Sequence, residues 1–134
     1  MPEVDWITIH SNRSLEVQGV VALNQPSKSS KGEALNYANG VFSIGKSGTY
    51  EFAFGATIAN KTSQPITVTA RLRANLSVAP VLETIITVPV GQAFVYGYSA
   101  KDLSTGSTQS LYITSEDVNP VSISNTTVTI RRLN

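Results

Sequence analysis

The sequence has no cysteine, which excludes disulfides and thiolate metal sites, and it carries a single histidine, His10, and a single tryptophan, Trp6. Charge is scarce too: Asp, Glu, Lys and Arg make up 14% of 134 residues and the formal net charge is +1. That balance leaves no basic field to attract nucleic acid and no acidic tail. Long apolar runs are missing. Stretches such as Thr84 to Val90 or Val118 to Val121 fall far short of the ~18 consecutive apolar residues of a membrane span. The N-terminus, Met-Pro-Glu-Val-Asp-Trp, lacks both a basic region and an apolar core, so a secretory leader is not expected. Helical periodicity is absent from every window of a dozen residues, roughly the length it takes to read one. At 14.3 kDa the chain is read as one domain. A small domain without covalent staples is only modestly stable alone, and an interface between subunits is a common remedy.

What is present is alternation. From Tyr50 the apolar residues fall on every second position, Tyr50, Phe52, Phe54, Ala56 and Ile58, against Thr49, Glu51, Ala53, Gly55 and Thr57. That is the period of a strand, whose successive side chains point to opposite faces. Val41 to Ile44 forms an earlier strand, and Gly45 to Gly48 supplies a hairpin-type turn between the two. Asp5 to His10 alternates Trp6, Thr8 and His10 against Ile7 and Ile9; Ile66 to Leu76 sets Val68, Ala70 and Leu72 against Thr69, Arg71 and Arg73. Ala93 to Ser99 places Phe94, Tyr96 and Tyr98 on one face, a second aromatic stripe. Leu15 to Leu23, the short Glu33 to Tyr37, Val81 to Val88, Ser110 to Thr114 and Val121 to Leu133 complete the strands. Asn24 to Gly32 reads as a polar loop and Asn39-Gly40 as a hairpin turn. About 8–10 short strands at roughly ten-residue spacing, rich in Ser, Thr, Val and Ile, indicate an all-β antiparallel sandwich or barrel. Residues 1–14 are an N-terminal arm or first strand, and 15–134 the sandwich domain.

The run Gly40, Phe42, Ile44, Gly48, Tyr50, Phe52 resembles the signature of the C1q and tumour-necrosis-factor-like jelly rolls. More loosely, Val88 to Gln92 resembles the family's apolar run into a turn, with Gln92 where an acid is usual, and Thr127 to Leu133 its closing strand. The resemblance implies a jelly-roll sandwich that assembles as a compact homotrimer, with aromatics of the central strands near the three-fold axis. In that arrangement Tyr50, Phe52 and Phe54 divide between the protomer core and the trimer interface, joined at the interface by Phe94 and Tyr96. Two aromatic stripes in so small a chain exceed what one core needs, which favours a buried interface.

Chemistry-bearing motifs are sparse. His10 precedes a turn, and no Gly-x-Ser-x-Gly elbow offers it a nucleophile. Gly45-Lys-Ser-Gly48 lacks the spacing of a phosphate loop and has no helix after it. Glu33, Glu51, Glu83, Asp102 and Glu116 include no pair in a distinctive setting for sugar hydrolysis. Glu116, Asp117 and Asn119 offer oxygens to calcium but read more simply as a solvated turn, so no metal or cofactor is assigned. Sequons occur at Asn12, Asn60, Asn75 and Asn125. Arg71 and Arg73 read as a cationic ring in a trimer or as partners of Glu51 or Glu83. The chain is therefore read as a non-enzyme.

If the sequence from Met1 to Asn134 is the whole gene product, no stalk, shaft or anchor of the kind the family's eukaryotic members carry is expected. The expectation is accordingly a free-standing homotrimer on a virus particle: a phage or viral capsid decoration protein, assembled in the host cytoplasm, that clamps the major capsid protein at three-fold positions. Trp6, Ile7 and Ile9 are the expected partner contacts. Nucleic acid and membrane are not expected partners. The alternative is a receptor- or glycan-binding head such as a tail-fibre tip, with Tyr37, Tyr96, Tyr98 or Tyr112 stacking on sugar. A spore-coat role is a third possibility.

Overall fold

The computed structural model describes residues 5–23, 28–29, 35–38, 40–73, 80–116 and 120–133. They form twelve strands and no helix: β1 Trp6–Ser11, β2 Leu15–Val17, β3 Gly19–Val20, β4 Lys28–Ser29, β5 Leu35–Ala38, β6 Val41–Ile44, β7 Gly48–Asn60, β8 Ile66–Arg73, β9 Pro80–Val88, β10 Gly91–Leu103, β11 Thr108–Ser115 and β12 Val121–Arg132. Nine have four residues or more, and the three short ones, β2, β3 and β4, account for the excess over the expected number. All pairings are antiparallel. One sheet runs β10-β7-β12-β1-β4, with β2 also on β12; the other runs β5-β6-β11-β8-β9, with β3 on β11.

Most connections pass from one sheet to the other, which is how a jelly roll closes. The turn at residues 45–47 is one of these: β6 lies in the second sheet and β7 in the first, so the expected hairpin between them is a crossover. Two side chains pin it. The Tyr50 hydroxyl donates to the Lys46 carbonyl at 2.5 Å and Arg132 Nη2 to the Ser47 carbonyl at 3.0 Å. By contrast β5 and β6 do form a hairpin, Ala38 opposite Val41, and Gly40 takes the φ of 84° that the tight turn requires; Asn39 lies outside the described residues. The turn after β7 is organised by buried Asn60, whose Nδ2 donates to the Gln64 and Val88 carbonyls while its Oδ1 accepts from the Thr62 amide and hydroxyl. The Asn60 sequon is thereby a structural device, its amide nitrogen committed twice. Asn12 and Asn125 are exposed, and Asn75 lies outside the described residues.

The core fills the space between the sheets. From the first sheet come Ile7 and Ile9, the even residues Tyr50 to Ile58 of β7, Val95, Ile123, Val128 and Ile130; from the second come Phe42, Ile44, Val68, Leu72, Leu82, Leu111 and Ile113. Each such side chain contributes roughly 1.5–3 kcal/mol by leaving water. β12 changes parity on the way: Val121 and Ile123 point inward, then Val128 and Ile130 do. The change is made by a register shift between Ser124 and Thr127, with Asn125 at φ 49°. Such a bulge inserts one residue and returns the apolar side chains to the core, and Asn is among the few residues that tolerate a positive φ.

Two expectations about site residues change here. Tyr50, Phe52 and Phe54 do not divide between core and interface: all three are buried within the protomer, on one side of an unbroken strand. Ile7 and Ile9 are buried too, opposite Ile130 and Val128, and are core residues rather than partner contacts. Trp6–Ser11 forms a sheet strand between β12 and β4.

Candidate functional site: the outer face of the first sheet

β10 is the edge strand of the first sheet and pairs with β7 along its whole length, from Gly91 opposite Asn60 to Leu103 opposite Gly48. Its inward residues are Val95 and Gly97, so Phe94, Tyr96 and Tyr98 point outward, 60%, 60% and 54% exposed. Directly opposed residues of an antiparallel pair share a face. Phe94, Tyr96 and Tyr98 oppose Thr57, Gly55 and Ala53, small side chains that leave a low floor beside the rings. The floor continues through Thr127 and Thr129 of β12 to His10 and Thr8 of β1. Trp6 stands at its far corner, 36% exposed, opposite Arg131.

Gly55 shapes this surface. A Cβ built there falls 2.7 Å from Cζ of Phe94, so the phenyl ring lies across the glycine. Between the rings of Phe94 and Tyr96 and the floor of Ala53, Gly55, Thr127 and Thr129 is an open, mainly apolar depression of about 230 Å³. Three hydroxyls of the floor are bonded within the face: Thr8 and Thr129 share a bond of 2.8 Å, and His10 Nδ1 lies 2.6 Å from the Thr127 hydroxyl. From Ala53 to Ala59 along β7, the neighbours on β10 and β12 carry no charge. Charge enters at the two ends. Beyond Ala59, Glu16 of β2 lies opposite Ser122 and pairs with Lys61 at 3.7 Å, both side chains largely in water. The other end, at Glu51, carries a linked network. There Arg131 Nε lies 2.5 Å from Glu51 Oε1, the Tyr98 hydroxyl donates to Glu51 Oε2 at 2.8 Å, and Thr49 donates to Asp102. The bond to Glu51 raises the Tyr98 pKa above its usual value, with desolvation and the Glu51 charge acting in the same sense.

Of the expected interface residues, Phe94 and Tyr96 stand on this face and Tyr50, Phe52 and Phe54 lie beneath it. Trp6 is on the same face, and Ile7 and Ile9 are behind it. The tyrosines proposed for sugar stacking do not form one site. Tyr37 packs its ring on Phe42 at 4.4 Å between centroids, and its hydroxyl accepts from the Leu23 amide. Tyr112 is in the second sheet beside Gly19. Arg71 pairs with Glu83 in that sheet at 2.6 Å, while Glu51 is taken by Arg131; the Arg73 side chain lies outside the described residues. Glu116 Oε1 accepts from the Thr67 amide; Asp117 and Asn119, the rest of the suggested calcium set, lie outside the described residues. Among the described residues no three His, Asp or Glu side chains gather as metal ligands. Tyr98 stands with Phe94 and Tyr96 as the stripe predicts but was not among the expected interface residues, and the Glu51–Arg131 link was not expected. The signal for the first was the Phe94, Tyr96, Tyr98 stripe itself; the second needs the register of β7 with β12.

No family model matches the sequence, and no curated protein matches it. Solved structures do match in shape. Murine APRIL at pH 5.0 superposes with a TM-score of 0.72 at 12% identity, covering 98% of this chain and 100% of that one. Murine APRIL at pH 8.5 gives 0.69 at 11% identity with the same coverage. Eiger TNF from S. frugiperda gives 0.67 at 12% identity, covering 98% of this chain and 93% of that one. At such identities the likeness establishes the fold, an all-β antiparallel jelly-roll sandwich of TNF type.

Proposed function

We propose that the protein is a non-catalytic binding module that works as a homotrimer, its subunits meeting through the outer face of the first sheet. One observation carries this reading: Phe94, Tyr96 and Tyr98 stand side by side, each more than half exposed, over an uncharged floor. Rings so placed hold a large apolar area in water, and covering them with a second copy removes that cost. The C1q and TNF-like resemblance supplies the stoichiometry of three. Light scattering on a sizing column tests it. A mass three times 14.3 kDa is expected, falling to one protomer in Phe94→Ser/Tyr96→Ser with the circular dichroism of the fold retained. A wild-type monomer overturns the trimer, and the face then passes to a stacking role on a planar ligand such as a sugar.

The finer reading places the trimer on a virion, as a decoration protein seated at three-fold positions of the capsid. Its support is symmetry: three equivalent weak contacts on a rigid trimer bind together with far greater strength when the lattice geometry matches. Trp6, the exposed aromatic at the corner of the face, is the residue assigned to the capsid contact. Binding to capsids stripped of the protein, with loss on Trp6→Ala at unchanged trimer mass, is the expected result. No binding by an intact trimer ends the decoration reading.

A further inference from the structure

We infer that Glu51, through its links to Arg131 and Tyr98, sets the register in which two copies meet; the inference rests on the homotrimer reading above. Between its two charged ends the face is permissive. A sheet surface repeats every two residues, roughly 6.8 Å along a strand, and Ala53, Gly55, Thr57 and Ala59 of β7 differ little from one repeat to the next. Aromatic rings packing on such a floor meet nearly the same surface after a slip of one repeat. The network breaks that equivalence. It spans three strands, β10, β7 and β12, at one end of the face, and both carboxylate oxygens of Glu51 are engaged, Oε1 by Arg131 and Oε2 by Tyr98. Tyr98 is also the last ring of the exposed stripe, so the carboxylate that holds Arg131 also orients a ring of the proposed contact.

In the free protomer the Glu51 and Arg131 side chains are 22% and 50% exposed, and an ion pair so hydrated adds little to stability. Covering by a second copy changes its weight. The pair then loses water, and any register that presses an apolar ring against one member and parts it from the other leaves a buried charge uncompensated, which strongly disfavours that arrangement. Buried polar groups in helical coils fix register in this way, and here the device is built on a sheet face.

The test is the oligomer distribution of purified full-length variants, by native mass spectrometry and sedimentation equilibrium. Arg131→Gln, which strands Glu51, is expected to raise the trimer dissociation constant about 100-fold or more. Tyr98→Phe, which keeps the ring and removes its bond to the carboxylate, raises it about 3- to 10-fold. Glu51→Leu with Arg131→Leu removes both charges; it is expected to assemble as tightly as wild type but into several stoichiometries. The exchanged pair Glu51→Arg with Arg131→Glu restores a single species. Wild-type dissociation constants in both Arg131→Gln and Tyr98→Phe, or a uniform trimer in the double leucine variant, overturn the inference. If wild type forms a trimer that Phe94→Ser/Tyr96→Ser dissociates while the network variants change nothing, the register role alone falls. A monomeric wild type removes the homotrimer reading and the inference together.

Discussion

Strands β7 and β10 are each thirteen residues long, lie side by side, and carry an aromatic at every second position in one segment. The Tyr50, Phe52, Phe54 stripe is fully inside the protomer, and the Phe94, Tyr96, Tyr98 stripe is outside. Register explains the pairing of faces: Tyr96 opposes Gly55, so the second stripe shares a surface with the small residues of β7, on the side away from its aromatics. Space explains why that side is the outer one. At the sheet edge β9 closes against β10, and a Cβ on Gly97 would lie 2.7 Å from Thr84 Oγ1, 3.1 Å from Phe54 Cε1 and 3.2 Å from Leu82 Cδ1. No ring fits there. One strand further in, β7 faces the second sheet and its rings fill the core. An aromatic stripe is thus evidence of a contact, and its neighbours decide whether the contact lies within the chain or beyond it.

The comparison is broken most strongly by truncating one member of each stripe. Phe52→Ala removes a fully buried ring and is expected to cost about 3–5 kcal/mol in urea unfolding. Tyr96→Ala, at a dilution where the protein is monomeric, should stay within roughly 0.5 kcal/mol of wild type. A large loss from Tyr96→Ala places that ring in the protomer core and contradicts its exposure. Glycines sharpen the same contrast. Gly97→Val forces a side chain into the crowded edge and is expected to cost about 1–3 kcal/mol. At Gly55 the three atoms nearest an added Cβ all belong to the Phe94 ring; Gly55→Val should tip that ring outward and weaken self-association while the fold persists.

How much of this was written in the alternation can be judged strand by strand. The even face of β7 reads directly as core, because thirteen residues keep one parity and nothing interrupts them. The inward set of β12 does not, because the bulge at Asn125 exchanges odd for even midway. Ile7 and Ile9 alternate correctly with Trp6, yet period alone does not say which side faces the other sheet. The same ambiguity places Phe52 at the interface when the rings of β10 are the exposed ones. The crossover at residues 45–47 is hidden for another reason. Gly and Ser mark a turn whether it joins neighbours in one sheet or passes between two, and only the long-range pairs of β6 with β11 and β7 with β12 separate the cases. The link from Glu51 to Arg131 is non-local in the same sense, joining residues eighty positions apart.

Alkali probes a tyrosine of each stripe. Burial raises the Tyr50 phenol above its usual value, with Arg132 acting against the rise and Asp5 with it. Burial raises Tyr37 as well, and the bond to Glu51 raises Tyr98. The unfolded chain therefore releases these protons at lower pH than the folded one. Their contribution is fully present below about pH 10 and is lost as pH climbs through the folded values. Tyrosinate absorbance should show Tyr50 ionising late or only with unfolding, and Tyr50→Phe should flatten the alkaline decline. An unchanged alkaline profile in Tyr50→Phe removes Tyr50 from the account.

The smallest expected effect compares two ion pairs, one on each sheet. Arg71 and Glu83 oppose one another on β8 and β9 with Nε 2.6 Å from Oε2, much as Arg131 and Glu51 do on β12 and β7. Geometry hardly distinguishes them, and both are partly hydrated in the protomer. A double-mutant cycle on Arg71→Ala and Glu83→Ala should return about 0.2–1 kcal/mol, shrinking as salt is added, with no change in oligomer mass. The same cycle on Arg131 and Glu51 should match it in the dilute monomer and exceed it severalfold when read as dissociation of the assembly. A mass change from Arg71→Ala would move the contact surface to the second sheet, and equal cycles for both pairs in the assembly would leave the Glu51 end of the face in water.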